Sequence, residues 1–245
     1  MLLDSSATPQ PTPAICDATI RLVHVACPPD PSSPAARDAT RPDRASARQE
    51  RAPSTKAQSQ PKKEETISKN VLILSGSPRK GGNSDLLCDQ FARGAKEAGN
   101  NVEKIRVSAK KVAPCTGCYY CEKHDGECIQ KDDMADILQK MIDADVIVLA
   151  SPVYFYSIDA QLKAVIDRTV ARWLEVENKE FYYIATMADE ALSSADTTLA
   201  CFRGYADCVK GAVERGVVIG SGVYAPGEIK SSPAFEQAYQ TGRNV

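Results

Sequence analysis

Near residue 70 the chain changes character. Before it, over "RDATRPDRASARQERAPSTKAQSQPKKEE" (37–65), apolar residues never recur at helix or strand spacing, and after it short apolar runs alternate with amphipathic stretches. "VLILS" (71–75) is a continuous apolar run, the pattern of a parallel strand buried on both faces. Leu87, Phe91, Ala95 and Ala98 follow at helical spacing, with Asn83 or Ser84 placed to cap the start and Gly99 to stop the helix. "NVEKIRV" (101–107) predicts a second strand, and "DDMADILQKMIDA" (132–144) a helix with Met134, Ile137, Leu138 and Met141 on one face. "DVIVLAS" (145–151) is the plainest strand, and a helix over 158–174, a strand over 180–187, a helix over 195–213, a strand over 216–224 and a last helix over 233–243 complete the pattern. Five strands each followed by a helix specify the α/β class: a doubly wound, five-stranded parallel sheet. Ligands of such sheets bind beyond the carboxyl ends of the strands, where the strand order reverses. The loops after the first, third and fourth strands are therefore the places to look.

Residues 1–69 hold no Gly, Phe, Trp or Tyr but ten of the fifteen prolines. That composition cannot bury enough apolar area to offset its ordering entropy, so a disordered Pro/Ser/Arg-rich extension is expected, with one domain at 70–245. Asp17, Arg21 and His24 interrupt "PAICDATIRLVHVAC", which argues against a signal-peptide core or a membrane span. Arg37, Arg41, Arg44, Arg48 and Arg51 lie among Ser and Ala as in a transit peptide, but Asp30, Asp38, Asp43 and Glu50 weaken that reading. The expectation is a solvated tail, or a translation start placed too far upstream. Charge adds little: the extension carries +2 and the domain −4, with no basic stripe for nucleic acid and no charge block for a membrane surface. Nine cysteines cannot all pair within the chain, and their clustering favours metal or redox use in a reducing compartment, the cytoplasm.

"SGSPRKGGNS" (75–84) leaves the first strand and opens a helix. Backbone N–H groups and the positive end of a helix dipole converge there, an arrangement suited to a phosphate. Ser75, Ser77, Asn83 and Ser84 add side-chain donors, and Arg79 adds charge-assisted ones. A nucleotide P-loop needs Lys and Ser/Thr after its last glycine, where Gly82 and Asn83 stand. A dinucleotide fingerprint fails at Pro78, and a phosphatase loop would want a cysteine where Ser75 stands. Two readings remain, a loop that binds phosphate and leaves it intact, or a glycine-rich turn with no ligand. After the third strand, Pro152 fixes the exit from the sheet and Tyr154, Phe155 and Tyr156 follow at once. These rings form either the wall of a flat apolar site or packing against neighbouring helices or another subunit.

"PCTGCYYCEKHDGEC" sets Cys115, Cys118, Cys121 and Cys128 in a C-x2-C-x2-C-x6-C pattern within a loop at 114–131. Three thiolates at two-residue intervals with a fourth farther on suit a [4Fe-4S] cluster. Zinc is a second option and four metal-free thiols a third. His124 is either a further ligand or a solvated loop residue, and Cys88, Cys201 and Cys208 fall in expected helices as ordinary positions.

Taken together, "SGSPRKGGNS", "SPVYFYSIDAQLKAVIDR" and "GVYAPGEIKSSPAFEQAYQTGRN" resemble the flavodoxin-like NAD(P)H-dependent FMN reductase and quinone reductase family. The cysteine loop is similar to that of its iron-sulfur flavoprotein branch. The resemblance implies the strand order 2-1-3-4-5. It implies an FMN phosphate held by Ser75, Ser77, Pro78, Arg79, Asn83 and Ser84, and a flavin ring bordered by Pro152, Val153, Tyr154 and Phe155. It also implies a second border between Ala185 and Asp189, and a [4Fe-4S] cluster on Cys115, Cys118, Cys121 and Cys128. The activity it implies is transfer of electrons from NAD(P)H or a reduced iron-sulfur donor to a quinone, a flavin or another small acceptor, without a catalytic acid or base. A dimer or tetramer is expected, with Trp173 at an interface or in the core. Two alternatives stand beside it. One is an electron carrier that docks ferredoxin-like partners, and the other a zinc-stabilised interaction module.

Overall fold

The computed structural model describes residues 68–245, so the expectations for the extension lie outside the described residues. The alternation becomes β1 (Asn70–Ser75), α1 (Asn83–Glu97), β2 (Asn101–Arg106), α2 (Met134–Asp143), β3 (Val146–Pro152), α3 (Ala160–Arg168), β4 (Glu180–Thr186), α4 (Asp196–Ala206), β5 (Val213–Gly220) and α5 (Pro233–Arg243). The strands form one parallel sheet in the order β2-β1-β3-β4-β5, as the resemblance implied. Among the described residues no helix is long and apolar enough to cross a membrane.

The inner strands are apolar throughout because each supplies two cores. Leu72, Leu74, Ile147, Leu149, Phe181 and Tyr183 pack in one cluster with residues of α2, α3 and α4. Their neighbours in sequence, Val71, Ile73, Val146, Val148, Tyr182 and Ile184, pack in the other with α1 and α5. Side chains alternate across a strand, so burial on both faces removes the polar half of the pattern. On the second face α1 and α5 touch backbone to backbone. A Cβ on Gly94 would lie 2.1 Å from the Tyr239 carbonyl oxygen, and one on Gly242 would lie 2.1 Å from that of Phe91. Helix α1 ends as expected: Gly99 takes φ +96°, and the N–H groups of Gly99 and Asn100 reach the Lys96 and Ala95 carbonyls at 3.0 and 3.1 Å.

Several expectations shift. Gly82, not Asn83 or Ser84, precedes α1, and no side chain caps that start. Helix α3 stops at Arg168, and 169–175 winds into two short 3-10 turns. Helix α4 stops at Ala206, so Cys208 lies in the turn that follows it. Strand β5 runs over Val213–Gly220 rather than 216–224. Its polar start hid it, because "VERG" pairs through charge: Arg203 holds Glu214 at 2.8 Å, and Arg215 reaches Glu180 on β4 at 2.9 Å.

Candidate functional site

Strand order reverses between β1 and β3, so their carboxyl-end loops diverge and leave a crevice. One buried carboxylate is packed between the two loops. Asp159 caps α3 by accepting the Leu162 N–H at 3.0 Å, and it accepts the Ser151 hydroxyl at 2.7 Å. Burial holds its carboxyl above the ordinary 3.8. Gly76 passes so close that a Cβ there would meet Asp159 Oδ2 at 2.1 Å. Beyond it Gly81 takes φ +68° and donates its N–H to Asp85 at 2.9 Å, while Lys104 on β2 closes the same carboxylate at 2.9 Å. A Cβ on Gly82 would lie 2.9 Å from that of Arg79, so the loop folds tightly back on itself before α1 starts.

A groove opens at this point. Ser77, Arg79, Gly82, Asn83 and Ser84 line it from the first loop, and Pro152, Val153 and Tyr154 from the loop after β3. Thr186, Met187 and Ala188 at the end of β4, with Val223 and Tyr224 after β5, complete its wall. Thr186 bonds the Ser84 hydroxyl at 2.6 Å, the Arg79 guanidinium donates to the Tyr224 carbonyl at 3.2 Å, and Val223 donates to the Met187 carbonyl at 3.0 Å. Thr186, Met187 and Ala188 fall within the expected border between Ala185 and Asp189, whereas Val223 and Tyr224 were not singled out by sequence, since only the strand order brings the end of β5 against the first loop.

The residues expected at the site divide. Ser77, Arg79, Asn83, Ser84, Pro152, Val153 and Tyr154 line the groove; Ser75, Pro78, Phe155, Ala185 and Asp189 do not. Ser75 is fully buried and its hydroxyl has no hydrogen-bond partner, while burial pushes the thiol of Cys88 up to about 12. Pro78 is exposed beside the groove, and Ala185 is buried with Met187 and Ala195. Asp189 holds the Ser194 hydroxyl at 2.5 Å and the Ala191 N–H at 3.0 Å. Asn83 spends its side chain on the loop after β5. It donates to the Ala225 carbonyl at 3.0 Å and accepts the Gly227 and Ile229 N–H groups at 3.0 and 3.3 Å. Phe155 and Tyr156 occupy the tip of a two-residue turn closed by Tyr154 and Ser157, and both rings face solvent.

The cysteine loop follows β2. Cys115 and Cys118 are exposed, Cys121 and Cys128 half-buried, and none is in a disulfide. Left-handed backbone at Gly117, Tyr119, Asp125 and Gly126 coils the segment, and His124 stacks on Tyr120 at 3.6 Å between ring centroids. The Tyr120 N–H and the Thr116 hydroxyl hold the Cys118 thiol below its usual range, while burial pushes that of Cys121 up. Among the described residues no three His, Cys, Asp or Glu side chains converge as a metal site. One ion pair fastens both ends of the loop. Arg168, at 2% exposure, donates to the Ala113 carbonyl at 2.8 Å and to both Asp132 oxygens at 2.9 and 3.0 Å. Trp173 is half-buried beyond α3.

The family model for NADPH-dependent FMN reductase matches residues 69–205. An iron-sulfur flavoprotein of Archaeoglobus fulgidus is 44% identical over 100 residues, covering 41% of this chain and 44% of that one. The chain thus spans about half the length of the curated relatives it matches. Two solved structures are similar in fold. NAD(P)H:quinone oxidoreductase from Methanothermobacter marburgensis has a TM-score of 0.57 at 18% identity, covering 73% of this chain and 96% of that one. An FMN-dependent NADH-azoreductase from Bacillus anthracis, determined in complex with FMN, has a TM-score of 0.57 at 15% identity, covering 72% and 98%. With more than half of its 245 residues inside the matched region, the chain belongs to the NADPH-dependent FMN reductase family.

Proposed function

We propose that this protein binds FMN in the groove and an iron-sulfur cluster on its cysteine loop, and passes electrons between a donor and a small acceptor. The observation that carries the reading is the groove itself, with one polar end and one apolar end. At the polar end α1 starts with no side-chain cap, so its first N–H groups face the same place as Ser77 and Arg79 and suit a phosphate. At the other end Pro152, Val153, Tyr154, Met187 and Val223 offer an apolar wall to a flat ring. When bound, the flavin supplies hydride and single-electron chemistry.

The protein's own residues bind and orient. Arg79 adds charge to the phosphate end, the Ser84–Thr186 hydroxyl pair fixes the floor of the groove, and the loop after β3 sets the plane of the ring. The outward rings of Phe155 and Tyr156 provide a platform beside the groove where an acceptor such as a quinone or a second flavin can stack. No side chain is asked to move a proton.

Cys115, Cys118, Cys121 and Cys128 would hold a [4Fe-4S] cluster. The donor set fits in kind, since all four are free thiols on one loop. The four do not converge as they stand, and binding would have to deprotonate them and draw them together. NAD(P)H is the proposed donor and a quinone or flavin the proposed acceptor, in a dimer or tetramer. An anaerobic absorption spectrum with flavin, iron, sulfide and zinc analysis tests the reading. Stoichiometric FMN with iron and sulfide supports it, and colourless protein that fails to take up added FMN sinks it.

A second reading keeps both groups but makes the protein a carrier between redox proteins, and the open position of the cysteine loop favours it. Steady-state NAD(P)H oxidation with a quinone supports the enzyme. Reduction by a ferredoxin without such turnover supports the carrier.

A further inference from the structure

Arg168 is a costly residue to bury. Its guanidinium lies under the cysteine loop, almost wholly shielded from water, where a charge is tolerated only if it is paired and hydrogen-bonded. Asp132 and the Ala113 carbonyl take the two terminal nitrogens. The remaining donor, Nε–H, is buried without a full hydrogen bond. Cys128 lines the same cavity as Arg168 and Asp132, on the loop that the guanidinium fastens. A loop fastener alone would need the fork and no more.

We propose that Arg168 is a positioning residue for the fourth cysteine of the loop: its buried guanidinium donates toward the Cys128 sulfur and raises the reduction potential of a cluster bound there. This rests on the iron-sulfur reading above. Hydrogen bonds and positive charge at a ligating sulfur stabilise the extra electron of the reduced state, so both act in one direction. Asp132 acts in the other, as a negative charge paired with the same guanidinium.

The two roles of Arg168, holding the loop and tuning the cluster, separate by sign. The experiment is an anaerobic redox titration of the cluster in full-length protein, followed by electron paramagnetic resonance, with iron and sulfide counted in each variant. Arg168→Met is expected to lower the reduced-to-oxidised ratio at fixed potential at least tenfold, about 59 mV for a one-electron couple. Asp132→Asn is expected to raise that ratio, and Arg168→Lys, which keeps the charge, to fall between Arg168→Met and the native protein. Should Arg168→Met fail to assemble, the upward shift in Asp132→Asn and the intermediate value of Arg168→Lys carry the test. An unchanged potential in iron-replete Arg168→Met, or shifts of the same sign in Arg168→Met and Asp132→Asn, would overturn the proposal and leave Arg168 a fastener. Native protein without iron and sulfide would overturn the cluster reading itself, a different result from an unmoved potential.

Discussion

Replacing Phe155 by Asn should make the protein more stable, although it deletes a large aromatic ring. Tyr154 and Ser157 exchange backbone hydrogen bonds at 2.9 and 3.0 Å around a two-residue turn, and Phe155 and Tyr156 between them take φ of +49° and +63°. Two successive left-handed residues make a turn that favours Asn-Gly. A side chain other than glycine gives up roughly 1–2 kcal/mol in that region, and the several-fold enrichment of Asn there corresponds to about 1 kcal/mol. Phe155 is 102% exposed, so folding buries none of its ring to offset the strain. Phe155→Asn is therefore expected to gain about 1 kcal/mol, which raises a urea midpoint by roughly 0.5 M at an m-value near 2 kcal/mol/M. Tyr156 supplies the internal control, being 62% exposed. A third of its side chain, roughly 80 Å², is worth about 2 kcal/mol in burial. Tyr156→Gly recovers its strain but gives up that burial and adds flexibility to the unfolded chain, for a net change near zero or about 1 kcal/mol of loss. Urea unfolding of both variants at one low protein concentration measures the pair. A lower midpoint for Phe155→Asn, or a larger gain for Tyr156→Gly than for Phe155→Asn, would refute the reasoning. Strain kept at an exposed tip fits the acceptor platform proposed above, and on that proposal the stabilised Phe155→Asn should reduce quinone more slowly.

Gly76→Ala should lose more than about 3 kcal/mol in denaturant or thermal melts, since its methyl group would sit 2.1 Å from Asp159 Oδ2 and the carboxylate cannot leave without uncapping α3. Asp132→Ala should cost about 3–5 kcal/mol by leaving Arg168 buried and unpaired. Burial alone would raise the Asp132 carboxyl, but the Arg168 fork and the Ala113 and Met134 N–H groups outweigh it and hold it below the ordinary 3.8. The contribution of Asp132 is thus present above about pH 4 and lost as pH falls through the depressed value. The stability gap between the native protein and Asp132→Asn should be flat near neutrality and close only in acid, as unfolding measured across pH will show. Arg79→Ala should weaken FMN binding roughly tenfold to a hundredfold, the worth of one charge-assisted hydrogen bond to phosphate, measured by quenching of flavin fluorescence.

How far the sequence reached depended on whether a feature is local. Strands β1, β3 and β4 were legible because burial on both faces writes a continuous apolar run, and the Gly99 stop because a left-handed helix end selects glycine. The first loop, the ring loop and the cysteine spacing were legible for the same reason: each is a short segment whose chemistry lies in adjacent residues. The start of β5 was not, because its polar residues are satisfied by Arg203 on α4 and Glu180 on β4, partners that only the packed elements supply. Nor was the direction of individual side chains in the first loop. Ser75 is wholly buried, and Asn83 is consumed by the loop after β5, although both looked like phosphate donors.

By itself the sequence determined the alternation of elements, the class of sheet, the two loops that face one another and the four thiols. Only the tertiary structure decided that Val223 and Tyr224 close the groove, that Gly76 packs against the buried Asp159 carboxylate, and that Arg168 and Cys128 line one cavity. The division has one physical cause. Hydrophobic period and turn chemistry are properties of neighbours in the chain, whereas a buried carboxylate or guanidinium is tolerated only by partners that the fold delivers from elsewhere.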